Sequence, residues 1–180
     1  IENDHDIKLK NFNLSFISTT HSIPEPHAIL IKTKYGNLLH TADWKIDFNP
    51  TLGAQIDQKK FEEIGNEGLL ALIGDSTNAD VPGFSKSELE VRDELIKIFS
   101  RYNKRIVITC FSSNIERMES IFIAAKKNNR KVALVGRSMK KTITAAIEND
   151  IIDKDISFIS EDEASLIPKE NLVVICTGSQ

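Results

Sequence analysis

The sequence predicts an α/β fold in which a strand-rich first part is followed by alternating strands and helices. Short apolar runs separated by turn residues occupy residues 13–56, which is the pattern of a β-sheet. From Ser85 onward, apolar residues at helical spacing alternate with short β-like runs. This β-α-β-α-β order favours a parallel sheet flanked by helices.

The first part is expected to contain a β-hairpin and a short helix. Its strands are predicted over residues 13–20, 28–33 and 38–42. The last two strands are joined by the turn Tyr35-Gly36-Asn37. A helix is predicted over 58–64, and the apolar run 69–74 is short enough for a buried strand.

The second part is expected to begin with a capped helix. Ser85 and Glu88 have the spacing of a capping box, with Ser85 as the N-cap. Further helices are predicted over residues 114–128 and 139–149, and strands over 105–110, 131–135 and 172–176.

The composition is that of an ordinary globular protein. The 180 residues are 41% hydrophobic and 27% charged, which is enough to bury a core. No apolar run approaches the ~20 residues that span a bilayer, and the polar start does not resemble a signal peptide. We therefore expect a cytoplasmic protein without a membrane partner. Cys110 and Cys176 lie in β-like apolar runs, so we interpret them as buried free thiols.

The two ends of the sequence predict a piece of a longer protein. The chain starts on Ile1 rather than Met, and it stops at residues 177–180, directly after a predicted strand. We therefore expect any active site within it to be incomplete.

Two predicted strands each end in a possible metal ligand. His21 follows the first strand, and Asp43 follows the hairpin. Imidazole is the commonest zinc ligand, and a carboxylate can bridge two cations. Two cations are a standard means of directing hydroxide at a phosphodiester. A His and an Asp at this separation are common, so the pair alone predicts such a site only weakly.

Polar residues also follow the strands of the second part, at Ser112-Ser113-Asn114, at Arg137-Ser138 and at residues 177–180. Ligands of parallel sheets gather beyond the carboxyl ends of the strands, so we expect these residues on one rim. The N-terminus of a helix beside two hydroxyls suits a phosphate, and Arg137 can clamp one. Plain helix capping is the alternative role of residues 112–114.

The charge of the chain is uneven. The net charge is −3, yet no acidic residue occurs from Lys126 to Lys141. This stretch predicts either a local phosphate-binding surface or a solvated helix end. Its seven basic side chains are Lys126, Lys127, Arg130, Lys131, Arg137, Lys140 and Lys141.

In order and spacing, six of these runs resemble the ribonuclease J group of the metallo-β-lactamase superfamily, in its β-CASP branch. The matching runs are His21–Glu25, His40–Lys45, Asp75–Ala79, Thr109–Asn114, Gly136–Met139 and Thr177–Gln180. The resemblance implies part of a metallo-β-lactamase αββα sandwich over residues 1–84. It implies part of a β-CASP domain, with a parallel sheet flanked by helices, over 85–180.

The resemblance also implies roles for individual residues. His21 corresponds to a metal ligand and Asp43 to the carboxylate that bridges two metals. Asp75 corresponds to the acidic residue of the first β-CASP motif at the active site. The phosphate-binding positions that the resemblance implies are Ser112, Ser113, Asn114, Arg137 and Ser138.

The implied activity is hydrolysis of RNA phosphodiesters in RNA processing and decay. Members of the family use two divalent metals, usually Zn²⁺, with Mn²⁺ or Mg²⁺ as alternatives. We expect 5′-to-3′ exonuclease action on single-stranded, 5′-monophosphorylated RNA, together with endonuclease cutting. A homodimer or homotetramer is the expected assembly.

The chain departs from the family pattern in ways that bear on activity. The His-x-His-x-Asp-His run and the later β-CASP histidines are absent, so the 180-residue chain alone is expected to be inactive. Ala42 stands where glycine is frequent, and Ser112 stands where alanine is frequent.

Alternative interpretations remain open for the whole chain and for single residues. Another hydrolase of the superfamily, acting on DNA or a small ester, would share His21 and Asp43, and a non-catalytic RNA-binding module is a third reading. Asp75 could cap the turn that follows it. Trp44 could stack on a base or pack over the metal edge. No catalytic role is expected for the remaining histidines, which are His5, His27 and His40.

Overall fold

A computed structural model describes residues 6–177, which divide into two compact units. The first unit comprises residues 6–21 and 25–85, and the second comprises residues 22–24 and 86–177. Each unit contains one β-sheet and at least one helix, so the predicted α/β class is confirmed at the level of a mixed α/β protein.

The sheet of the first unit has five strands in the order β1-β2-β3-β4-β5. Strands β1 to β4 pair antiparallel, and β5 pairs parallel with β4. The predicted hairpin is the pair β3–β4, closed where Thr33 lies opposite Gly36. The strands are Asp6–Lys8, Phe12–Ser18, His27–Thr33, Gly36–His40 and Ala71–Ile73.

One face of this sheet is covered by helix α1, Gln58–Glu67. Alternate residues of a strand point to one face, and the buried Ile17, Leu30 and Leu39 all belong to the face that packs on Ile64 of α1. Asp57 begins the helix by accepting the Lys60 backbone N–H at 3.0 Å.

The prediction that the apolar run 69–74 is a buried strand was wrong about burial. A strand forms at Ala71–Ile73, but it is the edge strand of the sheet, and Leu72 and Ile73 are 63% and 50% exposed. A short apolar run does not by itself distinguish a central strand from an edge strand.

The sheet of the second unit is parallel, as predicted, with the order β6-β8-β7. The strand that is last in sequence therefore lies between the other two, and Val173 of β8 is paired with both Ile106 and Val132. These strands are Ile106–Thr109 (β6), Lys131–Val135 (β7) and Leu172–Cys176 (β8).

Helices connect the strands of this sheet. The helix predicted over 114–128 forms as α3, and its residues Met118, Ile121 and Ala125 are fully buried. No helix in residues 6–177 is both long and apolar enough to cross a membrane. The helices are Glu88–Ser100 (α2), Ile115–Lys127 (α3), Arg137–Glu148 (α4), Glu161–Leu166 (α5) and a 3₁₀ turn at Lys169–Asn171.

Ion pairs hold α2 parallel to α3. Near the start of both helices, Arg117 donates to the two carboxylate oxygens of Glu88 at 2.6 and 3.0 Å. One turn on, Arg92 pairs with Glu119. Asn128 at the end of α3 donates to the Ile96 carbonyl at 3.2 Å. Both helices therefore begin at the carboxyl end of the sheet and end at its amino end.

The predicted capping box at Ser85 was wrong. The N-cap of α2 is Ser87, whose hydroxyl accepts the Glu90 backbone N–H at 3.1 Å. Glu88 is buried and bound to Arg117, so it is not available to reach back to Ser85. A full capping box forms instead at Ser160 and Glu163, at the start of α5.

The two cysteines are free thiols, as predicted, but both are half-buried rather than fully buried. Cys110 follows β6 and donates its backbone N–H to the carbonyl of Cys176 in β8 at 3.2 Å. Burial raises the pKa of the Cys110 thiol to about 11, so this thiol is protonated at neutral pH.

Replacing Arg117 by Ala should remove the guanidinium that pairs with the carboxylate of Glu88, whose side chain is 4% exposed. We expect the opening free energy of the α2 and α3 amides to fall by about 3 kcal/mol, measured by native-state hydrogen exchange on the full-length protein. The control is Lys97→Ala, which removes the exposed Glu94–Lys97 pair and should cost less than about 0.5 kcal/mol. Equal losses in the two variants would refute a stabilising role for the buried pair.

Candidate active site and phosphate-binding rim

A cleft of about 570 Å³ in the first unit brings together the three site residues predicted there, His21, Asp43 and Asp75. Trp44 and Phe84 also line it. His21 and Asp75 are half-buried, and Asp43 is exposed. All three follow strand ends on the same side of the sheet, which accounts for their proximity despite their separation in sequence.

The buried hydroxyl of Thr20 ties the strand that leads to His21 to the segment after Asp43. It donates to the Lys45 carbonyl at 2.7 Å and accepts the Asp47 backbone N–H at 3.1 Å. The Lys45 backbone N–H donates in turn to the Thr20 carbonyl at 2.8 Å. His21 is thus held beside the loop that carries Asp43.

Thr41 performs the same task between β4 and Asp75. Its hydroxyl, which is buried, donates to the Ala42 carbonyl at 2.8 Å and accepts the Asp75 backbone N–H at 3.1 Å. The Thr41 backbone N–H donates to the Ile73 carbonyl at 3.0 Å. The chain leaving β5 is therefore fixed against the chain leaving β4.

Ala42 adopts a left-handed backbone with φ of 52°. The chain turns sharply there, and the turn is supported by a hydrogen bond from the Ala42 N–H to Nδ1 of His40 at 3.0 Å. A side chain in this region costs roughly 1 kcal/mol relative to glycine. This cost explains why glycine suits the position. The hydrogen bond to Ala42 gives His40 a local structural role that sequence reasoning missed.

The carboxylate of Asp75 is held in its charged form. The hydroxyl and the backbone N–H of Thr77 donate to it at 2.5 and 2.9 Å, and they lower its pKa below the ordinary value of 3.8. The Trp44 backbone N–H and the nearby His21 lower it further. The turn-capping role therefore occurs, and it is compatible with a role in the cleft.

Trp44 packs against the first unit. Its ring stacks on Phe61 of α1, with centroids 6.2 Å apart and planes inclined by 28°. One face of the Trp44 ring is therefore covered by Phe61. This contact favours packing over base stacking as the role of Trp44.

The described residues do not form a complete metal centre. No group of three or more His, Cys, Asp or Glu side chains within residues 6–177 is arranged to hold a metal ion. Tight zinc sites need three or four ligands, whereas His21 and Asp43 supply two. These two residues alone therefore do not fit a resident metal.

The second unit gathers its predicted site residues at the carboxyl edge of the parallel sheet. Thr109 and Val135, the last residues of β6 and β7, are both paired with Cys176 of β8. The ends of β6 and β7 therefore lie roughly 10 Å apart. Gly136 has φ of 124°, and a Cβ built on it would lie 3.8 Å from the Thr177 hydroxyl. We call this edge the phosphate-binding rim, after the role predicted for its residues.

At this rim the predicted residues differ in exposure. Asn114 is buried and caps α3, since its side-chain oxygen accepts the Arg117 backbone N–H at 2.9 Å. Ser112 is half-buried, while Ser113, Arg137 and Ser138 are exposed. Gly178, Ser179 and Gln180 lie outside the described residues.

Sequence reasoning missed the residues that position the site. Thr20 and Thr41 are buried polar residues at strand ends, a combination with no sequence signature beyond the apolar runs before them. Glu88 was assigned to a cap, and Arg117 was not singled out. On a helical wheel of α3, Arg117 shares a face with Ile121 and Ala124, both of which are buried, so a cation on that face was a signal of a buried partner that sequence reasoning did not use.

Comparisons with known proteins agree on one family. Residues 103–180 match the model of the ribonuclease J β-CASP domain. Over 97% of its length the chain is 44% identical to Ribonuclease J of Sinorhizobium meliloti, of which it covers 31%. It is also 39% identical, over its full length, to Ribonuclease J 1 of Streptococcus pyogenes, of which it covers 32%. The chain thus spans about a third of the length of the curated relatives it matches.

A fold comparison extends to a solved structure. A protein of unknown function from Enterococcus faecalis V583 matches the whole chain with a TM-score of 0.67 at 14% identity, and the chain covers 44% of it. At this identity the likeness concerns the fold alone.

The second unit is thereby that of a β-CASP protein. Residues 103–180 belong to the ribonuclease J β-CASP family, and the chain as a whole is similar to a part of Ribonuclease J proteins.

Removing the Thr77 hydroxyl should raise the pKa of Asp75 towards its ordinary value, because the shortest hydrogen bond to the carboxylate is lost. We expect this in Thr77→Val, measured by NMR titration of the Asp75 carboxyl carbon, with Ser76→Ala as the control. The pKa of Asp75 is lower in the folded protein than in the unfolded chain. Its contribution to stability is therefore complete above the pKa of the unfolded chain, and it is lost as the pH falls through the pKa of the folded protein. An unchanged titration in Thr77→Val would show that Thr77 is not the main cause.

Proposed function

We propose that the full-length protein containing this chain is a metal-dependent ribonuclease that hydrolyses RNA phosphodiesters. The observation that carries the proposal is the cleft in which His21, Asp43 and Asp75 meet, in a chain that is similar to a part of Ribonuclease J proteins. Its action on RNA would combine 5′-to-3′ exonuclease activity with endonuclease cutting. The 180-residue chain alone is expected to be inactive.

We propose that His21 and Asp43 each bind metal, with Asp43 as the bridging ligand. The remaining ligands would come from residues outside this chain. Two divalent metals, Zn²⁺ in the first instance and Mn²⁺ or Mg²⁺ as alternatives, would supply a hydroxide at neutral pH. The exposure of Asp43 leaves its carboxylate accessible within the cleft, which suits a shared ligand.

Asp75 is proposed to support the polar network beside these ligands. Its carboxylate stays charged because Thr77 donates two hydrogen bonds to it. Its position is set by Thr41, which also holds the turn before Asp43. A fixed negative charge at this point would orient His21, which lies close enough to lower the pKa of Asp75.

The domain assignment is part of the proposal. Residues 1–84 would be the C-terminal portion of a metallo-β-lactamase αββα core, and residues 85–180 would be part of the β-CASP domain. The first unit supports this reading with a mostly antiparallel sheet covered by a helix, and the second supports it with a parallel sheet flanked by helices.

The phosphate-binding rim is proposed to receive the 5′-monophosphate of single-stranded RNA. Ser112 and Ser113 offer hydroxyls directly before the N-terminus of α3, where the helix dipole favours an anion. Arg137 and Ser138 begin α4 at the same rim. Fixing the 5′ end would favour stepwise cutting from that end. We further propose a cytoplasmic enzyme that forms a homodimer or homotetramer.

Replacing Asp43 by Asn should lower the rate of RNA hydrolysis by the full-length protein by about two to three orders of magnitude, as expected when one transition-state-stabilising group is lost. The assay follows degradation of 5′-monophosphorylated RNA with Zn²⁺ or Mn²⁺. The matched control is Asp80→Asn, an exposed carboxylate that does not line the cleft. Equal activity in the two variants would remove Asp43 from the mechanism.

The double variant Ser112→Ala/Ser113→Ala tests the rim. Loss of hydrogen bonds to a charged phosphate should reduce the preference for 5′-monophosphorylated over 5′-hydroxyl RNA by about tenfold. The readout is the ratio of initial rates on the two RNAs, which is insensitive to a general loss of activity. Ser157→Ala, at an exposed serine, serves as the control. An unchanged ratio would mean that these hydroxyls do not contact the 5′-phosphate.

A further inference from the structure

The basic stretch Lys126–Lys141 does not form one surface. Strand β7 (Lys131–Val135) runs through its middle, so Lys126 and Lys131 lie at the amino edge of the parallel sheet, whereas Arg137 lies at the carboxyl edge. Arg130 is buried, and Lys140 pairs with Glu161 at 2.8 Å. The continuous charge that the sequence suggests is therefore divided by the fold.

A different basic cluster forms at the amino edge, and we call it the basic edge. It joins the end of α2, the start of β6, the end of α3 and the start of β7, all of which the parallel arrangement brings to this edge. All six of its side chains are exposed, and they are Arg101, Lys104, Arg105, Lys126, Lys127 and Lys131.

Hydrogen bonds from the buried Arg130 and the half-buried Asn128 hold the basic edge together. The Arg130 guanidinium donates to the Lys104 carbonyl at 2.9 Å and also to the Tyr102 carbonyl. Asn128 joins the end of α3 to α2 through the Ile96 carbonyl at 3.2 Å. The loop that carries Arg101, Lys104 and Arg105 is therefore fixed to the loop that carries Lys126 and Lys127.

The six cations of the basic edge outnumber the carboxylates near it. Glu170 precedes β8 at the same edge of the sheet, and Glu94 lies close enough to Arg101 for that cation to lower the pKa of Glu94. Residues 95–115 and 120–147 contain no Asp or Glu. Among the described residues, none of the six side chains forms an ion pair. A helix dipole explains cations at the end of α3, but Lys104, Arg105 and Lys131 lie at or just before strand starts, where no dipole attracts them.

We propose that the basic edge binds the phosphate backbone of single-stranded RNA, as a second contact apart from the phosphate-binding rim. This inference rests on the proposed function, because it takes RNA as the substrate. Cations spread over several loops suit a polyanion better than a single phosphate group. Tyr102 lies among them with 57% of its surface exposed, and an exposed aromatic ring between cations can stack on a base.

The two contacts lie at opposite edges of one sheet, about 15 Å apart along its strands. An RNA dinucleotide held by its 5′ end at the rim is too short to reach the basic edge. Longer RNA can reach it. The basic edge therefore adds affinity for long substrates and leaves the hydrolysis of very short ones unchanged.

The test uses full-length protein with Lys104, Lys126 and Lys127 all changed to Gln. Its control, Lys34→Gln/Lys59→Gln/Lys154→Gln, removes the same charge from exposed lysines elsewhere. The probe is a fluorescein-labelled single-stranded RNA of about 30 nucleotides, bound in EDTA over a salt series. We expect at least about a tenfold rise in Kd at low salt and a salt slope smaller by about two, with the control near wild type.

A second arm measures hydrolysis of a 5′-phosphorylated RNA dinucleotide with Mn²⁺, and kcat/KM should match wild type. If the triple variant binds long RNA as tightly as the control variant does, the proposed role of the basic edge is refuted. The same holds if the triple variant loses activity on both short and long RNA. A second triple, Arg101→Gln/Arg105→Gln/Lys131→Gln, repeats the test should the first misfold. If the wild-type protein hydrolyses no RNA, the proposed function is refuted. The binding measurements would still test whether the basic edge binds RNA.

Discussion

Two buried threonine hydroxyls, those of Thr20 and Thr41, hold the arrangement on which the cleft depends. Where a strand leaves its sheet, backbone N–H and C=O groups lose their ladder partners, and leaving them unpaired and buried would cost free energy. Thr20 meets this need for the segment after Asp43, and Thr41 meets it for Asp75. The same bonds that satisfy the backbone therefore set the positions of the side chains in the cleft.

The second unit rests on a comparable arrangement between helices. Glu88 and Arg117 pair at the start of α2 and α3, and the two helices run parallel. Both N-termini therefore lie at one edge of the sheet, and both C-termini lie at the other. Helix N-termini, which favour anions, lie at the phosphate-binding rim, and helix C-termini lie at the basic edge. One sheet thus presents two edges of different chemistry, with hydroxyls and dipoles on one and lysine and arginine side chains on the other.

Local sequence patterns predicted most of the longer helices and strands correctly. They failed where a residue is bound by a distant part of the chain. The helix capped by Asn114 was expected within one residue of its bounds, and the N-cap of the helix before it was expected two residues too early, because apolar spacing and N-cap residues are local properties. The cap at Ser85 was wrong because Glu88 is bound by a residue 29 positions away in sequence. Likewise, the exposure of β5 depends on which strands lie beside it, which no local pattern records.

By itself the sequence determined the α/β class, the order of the longer elements and the residues that follow each predicted strand, since these depend on short-range apolar spacing and on turn residues. It gave no sign of β1 or α5. Resemblance of its motifs also determined the family. Only the tertiary structure decided that β8 lies between β6 and β7, that Ala42 takes a left-handed turn, and that Lys104 and Lys126 share one edge. These outcomes depend on pairing between distant segments, whose energies are settled by packing and hydrogen bonding in three dimensions.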